Sequence, residues 1–309
     1  MKGIQYREHG PLEQVLECVD LPEPACGPGQ VRVQVLASPI DPADILAIRG
    51  LYAIQPPLPA CPGMEGCGRV LESRFDGLSE GDLVVVPMRS GAWCEQVAVD
   101  GAGCVRVPEG DPVQMSMLRI NPCTAHRLLD GVEPGQWVVQ DPGSCGVGQL
   151  VIQEARRRGI HTVSVVRRSS RVEFLKSLGG DRVVEKTGRG LPRCVRALDG
   201  TGGVATERLA RCLEKGGEVV CYGAVSRQPA QLSVAQTVFR GVTMRGFWLY
   251  QDNLDRPSEA AALLQRCAHQ LASGELHQQI AGTFSLDDWG AAVALVQSPE
   301  RNGKVVFVP

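Results

Sequence analysis

Apolar and polar positions alternate at period two in VRVQVLA, Val31 to Ala37, the pattern of a half-buried strand. CGRVLES, DLVVVPM and EQVAV repeat short apolar runs between Gly- and Pro-rich turns. Residues 1–111 therefore predict a compact, mostly β module, with one short helix at 42–49. From residue 112 the pattern changes. The strands WVVQ, TVSVV, DRVVE, CVRAL, EVVCYG and TMRGFWL alternate with helical segments at 146–158, 169–178 and 204–214. This alternation predicts an α/β domain over 112–257, a doubly wound parallel sheet covered on both faces. A long helix, Ser258 to Gly274, leads to a final strand, KVVFV, expected to rejoin the first module. Residues 258–309 are thus assigned with 1–111. A cleft between a β module and a nucleotide-binding domain is the expected place for a ligand.

The most informative stretch is GSCGVGQLVIQ, which follows WVVQ and opens a helix, although its glycine pattern alone is a weak signal. Such a turn lets a phosphate reach backbone N–H groups at a helix N-terminus. Gly143, Ser144, Cys145, Gly146, Val147 and Gly148 are the candidate phosphate cradle, with Cys145 where a full glycine fingerprint has another glycine. The next strand ends in Arg167 and Arg168 rather than in an acid. An acid would hold an unmodified ribose, whereas arginines suit a 2′-phosphate, so the expected cofactor is NADPH. A glycine-rich turn with no ligand is the alternative. At a helix N-terminus the Cys145 thiol is expected to have a lowered pKa and to compete with the pyrophosphate for the same amides. The other reading makes it an inert packing residue.

Composition narrows the classes. The 309 residues are 43% hydrophobic and carry a net charge of −2, which supports a packed core and argues against nucleic acid as partner. No apolar run approaches ~18 residues, so no membrane span is expected. The start, MKGIQYREHG, has neither an apolar core nor arginine-rich amphipathic character, which reads as cytoplasmic. The twelve cysteines contain no CxxC pair, so zinc-ribbon spacing is absent and reduced thiols are expected.

Motifs spread over nearly the whole chain resemble one superfamily. They are DPADILAIRGLY and PPLPACPGMEGCGRV (41–70), NPCTAHRLL (121–129), GSCGVGQLVIQ with VVRR, YGAVSRQP (222–229) and MRGFWL (244–249). They resemble the zinc-independent medium-chain dehydrogenases/reductases, and within them the NADPH-dependent trans-2-enoyl thioester reductases, with quinone oxidoreductases next. The resemblance implies a GroES-like β-rich catalytic domain joined to a Rossmann domain. It also implies reduction of the C=C bond of an acyl thioester carried by coenzyme A or acyl carrier protein, within fatty acid metabolism. An NADPH-dependent quinone or enone reductase is the alternative, and a non-catalytic NADPH-binding relative a further one. Zinc members of the superfamily have cysteine and histidine where this chain has Ser38 and Met64. A hydroxyl and a thioether do not make an N/S zinc site, so no metal is expected, and Glu65 reads as a carboxylate capping turn N–H groups.

The resemblance also assigns residues. Tyr52, after Gly50, falls at the family's proton donor; a phenol is a neutral donor at pH 7, and the alternative is a tyrosine packing a loop. Trp248 is implied at the pocket wall, or else it is core, and Phe247, Trp248 and Leu249 are implied near the nicotinamide. Tyr222 and Gly223, in YGAVSRQP, are implied at the cofactor. Asp41 stands where the family has an amide and is expected to accept from a ribose hydroxyl. Thr124 either donates to the cofactor or caps a helix; Lys304 either reaches the cofactor or is solvated. His126 reads as the partner of a backbone group. MRGFWL reads as an open edge strand, which implies a homodimer unless the C-terminal helix 258–273 covers it.

Overall fold

The computed structural model describes residues 1–185, 187 and 190–309. They form two compact units, Met1–Ile120 with Ala261–Pro309, and Asn121–Ala260. Residues 112–120, expected with the nucleotide-binding domain, belong instead to the first unit. Residues 258–260 belong to the second.

In chain order the elements are β1 (Lys2–Gln5), α1 (Leu12–Val15), β2 (Glu17–Asp20), β3 (Gln30–Pro39), α2 (Pro42–Ile48), β4 (Cys67–Ser73), β5 (Leu83–Val85), β6 (Gln96–Asp100), β7 (Val105–Arg106) and α3 (Pro112–Met115). The second unit carries α4 (Asn121–Leu128), β8 (Trp137–Asp141), α5 (Gly146–Arg157), β9 (His161–Val165), α6 (Val172–Ser177), β10 (Arg182–Val184), β11 (Cys194–Asp199), α7 (Val204–Ala210), β12 (Leu213–Cys221), β13 (Thr243–Gly246) and α8 (Leu249–Asp255). The unit boundary then falls within α9 (Pro257–Ala272), which is followed by β14 (Ile280–Phe284), α10 (Trp289–Gln297) and β15 (Lys304–Phe307).

The first unit is organised by β3. Val31, Val33 and Val35 point inward and Arg32 and Gln34 outward, so one face joins the core with Val70, Val84 and Val97. β3 pairs antiparallel with β4 and β6, and with the C-terminal β15 at Phe307↔Ser38. A second core gathers Ile4, Tyr6, Ile40, Ile48, Trp93 and Phe307. Trp93 meets Phe307 edge to face at 5.1 Å and donates its indole N–H to the Pro39 carbonyl at 3.1 Å.

The second unit is a six-stranded sheet in the order β10-β9-β8-β11-β12-β13, and its strands are parallel throughout. Two expected elements end early. The helix expected over 204–214 stops at Ala210, because Cys212 and Leu213 turn into the sheet core and the Cys212 carbonyl accepts from Cys194 N at 3.0 Å. The strand expected over TMRGFWL stops at Gly246, and Trp248 caps α8 instead. The helix expected over 169–178 is a 3-10 turn followed by α6. Among the described residues no helix is long and apolar enough to cross a membrane.

Candidate active site

The glycine-rich turn joins β8 to α5, and its glycines are required by close packing. A Cβ on Gly143 would lie 2.7 Å from the Ser164 side chain, and one on Gly148 2.6 Å from the Gly143 carbonyl. The turn therefore lies directly against β9, with Gly143 N donating to the Val165 carbonyl at 2.7 Å. Cys145 is the N-cap of α5, and its sulphur accepts from Gly148 N at 3.2 Å. Ser144, Gly146 and Val147 lie in the same turn and are partly exposed. Tyr222 leaves β12 beside them. Its hydroxyl is 3.8 Å from the Cys145 sulphur, and its ring lies against Gly200, where a Cβ would be 2.8 Å from Cζ. Gly223 follows, exposed, with Gly200 too close for a side chain. The phosphate-cradle residues, Tyr222 and Gly223 are thus brought together at the carboxyl ends of β8 and β12.

The thiol expectation is corrected. Burial pushes the Cys145 thiol above its ordinary value, outweighing the N–H bonds from Gly148 and Val147. The same burial, next to Cys145, pushes the Tyr222 phenol up. Both groups are neutral at pH 7, and the helix terminus does not produce a thiolate here.

Arg167 is exposed two residues beyond the buried end of β9, while Arg168 is half-buried at the start of the 3-10 turn. Burial raises the Asp141 carboxyl, and the charges of Arg167 and Arg208 oppose that rise. Both guanidinium groups therefore act on the end of β8. A cavity of about 710 Å³ lies there, lined by Asp141, Val165, Glu185, Arg193, Arg208 and Leu209. Arg208, on α7, lines this cavity, a placement the sequence did not signal, because an arginine on a helix face is ordinarily solvated.

Thr124 is buried in the middle of α4 and is not a cap. The His126 Nδ1 is 3.2 Å from the Glu154 carboxylate, a side-chain neighbour that the sequence reading did not anticipate. Burial alone would raise Glu154, but His126 and Arg158 outweigh it and hold this carboxyl at about 2. Phe247 donates its N–H to the Cys221 carbonyl at 2.8 Å. Trp248 is not core; it is 40% exposed and packs on Tyr250 with ring centroids 5.1 Å apart. Leu249 is buried at 6% exposure.

In the first unit, Tyr52 is half-buried on the loop after α2. Gly50 turns the chain at φ +71°, and the N–H groups of Leu51 and Tyr52 both reach the Leu46 carbonyl, at 2.8 and 3.2 Å. Asp41 and Lys304 are not solvated and do not stand apart. They form an ion pair with Asp41 1% and Lys304 9% exposed. The two charges expected at the cofactor are thus paired with each other. Glu65 caps turn N–H groups: its Oε2 accepts from Arg119 N and Ile120 N at 2.9 and 3.0 Å. Burial pushes Glu65 well above the carboxylate range, the Asp41 charge adds to this, and Lys304 opposes it. At the positions where zinc members of the superfamily have cysteine and histidine, Ser38 donates to the Glu65 carbonyl at 2.7 Å and Met64 is buried. No group of three His, Cys, Asp or Glu able to hold a metal occurs among the described residues.

Comparison with known proteins places this arrangement. Residues 146–268 match the zinc-binding dehydrogenase family model, a match that does not reach Ser38 or Met64. The chain is 34% identical to a mitochondrial enoyl-[acyl-carrier-protein] reductase of Xenopus tropicalis over 99% of this chain and 95% of that protein. The chain belongs to the enoyl thioester reductases of the medium-chain dehydrogenase/reductase superfamily. The human mitochondrial enoyl-[acyl-carrier-protein] reductase is 32% identical over 99% of this chain and 88% of its own length. Among solved structures, the mitochondrial 2-enoyl thioester reductase Etr1p/Etr2p heterodimer of Candida tropicalis superposes with a TM-score of 0.89 at 22% identity, over 100% of this chain and 99% of that one. A complex of Etr1p with NADP and crotonyl-CoA superposes equally well, with a TM-score of 0.89. The enoyl reductase fold of a GroES-like and a Rossmann domain is thereby shown. The relatives' mitochondrial names overturn the cytoplasmic expectation, which rested on a few N-terminal residues.

Proposed function

We propose that this protein reduces the C=C bond of 2-enoyl thioesters with NADPH. The observation that carries the reading is kinship with enoyl-[acyl-carrier-protein] reductases over 99% of the chain. The turn at α5 supplies the setting for the pyrophosphate, and Arg167 supplies a charge for a 2′-phosphate. When bound, NADPH delivers hydride to the β-carbon. Tyr52 supplies a proton to the α-carbon, and Trp248 and Phe247 shape the acyl and nicotinamide end. Kinship with mitochondrial enzymes points to mitochondria as the setting. The test is NADPH oxidation with crotonyl, octenoyl and dodecenoyl thioesters, on both coenzyme A and acyl carrier protein, against simple quinones. Turnover of quinones alone would replace this reading.

Arg167→Ala should weaken NADPH by roughly ten- to a hundredfold, since a hydrogen bond to a charged group is worth about 1.5–3 kcal/mol. NADH binding should hardly change. Equal loss for both cofactors would show that Arg167 braces the fold.

The assembly we propose is a homodimer through β13. All four residues of β13 are exposed at the sheet edge, so α9 does not cover it. Phe239 and Val238, just before it, are 77% and 67% exposed. Pairing of β13 with its symmetry mate would cover this open edge, and a dimeric assembly is named for the Candida structure. Light scattering should give twice the 33.2 kDa chain mass, and Met244→Glu should return the monomer. A single-chain mass for the unaltered protein at micromolar concentration would exclude the dimer.

A further inference from the structure

We propose that Asp44 is a positioning residue for Tyr52, holding closed the loop that carries it; this deepens the enoyl reductase reading and rests on it for the role of Tyr52. The loop runs from Arg49 at the end of α2 to Gly63, and the structure gives it no helix or strand of its own beyond a bridge at Ala60. Loops of this length hold one conformation only when their ends and interior are tied. Asp44 ties the ends. It sits at the third position of α2, 1% exposed. Its Oδ2 accepts from Asp41 N at 2.8 Å, which caps the helix. Its Oδ1 accepts from Gly63 N at 3.1 Å and Met64 N at 2.8 Å, at the far end of the loop. One carboxyl thus joins the helix before the loop to the segment after it.

That far segment is itself closely packed and hydrogen-bonded. Gly63 has φ +123°, and a Cβ there would lie 2.3 Å from Ala92 N and 2.8 Å from Trp93 N. Met64 accepts from Arg89 N at 2.9 Å, and Pro62 from Trp93 N at 3.0 Å. The near end transmits the grip to Tyr52, whose N–H is bonded to Leu46 in the last turn of α2. Close packing does not replace the clamp. A cavity of about 300 Å³ lies against the loop, bounded by Asp44, Ile54, Gln55, Pro56, Met64 and Arg89. Without Asp44 the loop has room to shift, and a displacement of about 1 Å in a catalytic group is enough to cost about a hundredfold in rate.

The test compares Asp44→Asn, Tyr52→Phe and the double variant. In the unaltered background Asp44→Asn should lower kcat tenfold or more with NADPH binding unchanged. In the Tyr52→Phe background the same substitution should cost less than threefold, because the group it positions is gone. Multiplicative losses would assign Asp44 a structural role only and overturn the proposal. Hydrogen exchange gives a readout independent of activity: amides of residues 50–62 should exchange at least tenfold faster in Asp44→Asn while β3 and β4 stay protected. Unchanged loop exchange refutes the clamp. Faster loop exchange with a fully active Tyr52→Phe variant would instead refute the catalytic reading of Tyr52 and leave the clamp standing. Should Asp44→Asn not fold, Asp44→Ser carries the same comparisons.

Discussion

Tyr52→Phe should lower kcat by a factor of about 10²–10⁴, the range for losing a positioned acid–base group, while leaving NADPH affinity near that of the unaltered protein. Reduction of an activated C=C needs hydride at the β-carbon and a proton at the α-carbon, delivered as enolate charge accumulates on the thioester oxygen. A phenol meets the second need without bringing an ionised group to the site. Tyr52 is half-buried and its backbone is fixed to α2, as a group of defined geometry requires. Phenylalanine keeps the ring and the loop contacts and removes only the hydroxyl. Stopped-flow NADPH oxidation at saturating thioester reads the chemical step. A fall of less than about threefold, under 1 kcal/mol in barrier, would mean that water supplies the proton.

The parallel sheet and the β module were legible because both rest on periodicity. The alternation of β3 survives in its burial pattern, and GSCGVGQ forms a strand–turn–helix because its glycines permit contacts that a Cβ forbids. What failed was end-point and partner prediction. Helix 204–214 overran because its pattern continues past the point where Cys212 and Leu213 enter the sheet, a choice made by tertiary packing. TMRGFWL overran because β-propensity does not register that Trp248 begins a helix. The Asp41–Lys304 pair joins residues 263 positions apart, and only the antiparallel return of β15 onto β3 brings them together. Asp44 was missed although a signal existed: Asp41-Pro42-Ala43-Asp44 has an acid at the N-cap and another three residues on, a capping-box spacing. The Cys145 expectation failed on magnitude, since enclosure of the sulphur outweighs the field of one helix terminus.

Lys304→Met should destabilise the first unit by about 3–5 kcal/mol, the cost of leaving a buried charge without its partner. The lysine serves more than Asp41. The Glu65 carboxyl bonds the Asp41 carboxylate, a contact that raises Glu65, and Lys304 is the cation that lowers it. Removing it leaves Asp41, Asp44 and Glu65 together in one enclosed region. The loss should depend on pH, with a sign that follows from proton binding. Burial and the Asp41 charge raise Asp44 to about 8 from 3.8, and Glu65 is raised as well. The folded state therefore holds protons that the unfolded chain has released above about pH 4. The contribution of Asp44 is full below that point and declines as pH rises towards 8. Loss of Lys304 removes the cation that lowers Glu65 and so raises that carboxyl further, and the variant should fall short of the unaltered protein by more at pH 8 than at pH 5. Urea unfolding at the two pH values measures this. Adding Asp41→Asn should recover most of the loss, because replacing both members of a buried pair removes the orphaned charge. A loss below about 1 kcal/mol, the scale of a surface pair, or a double variant no more stable than Lys304→Met, would show that the pair does not carry this part of the fold.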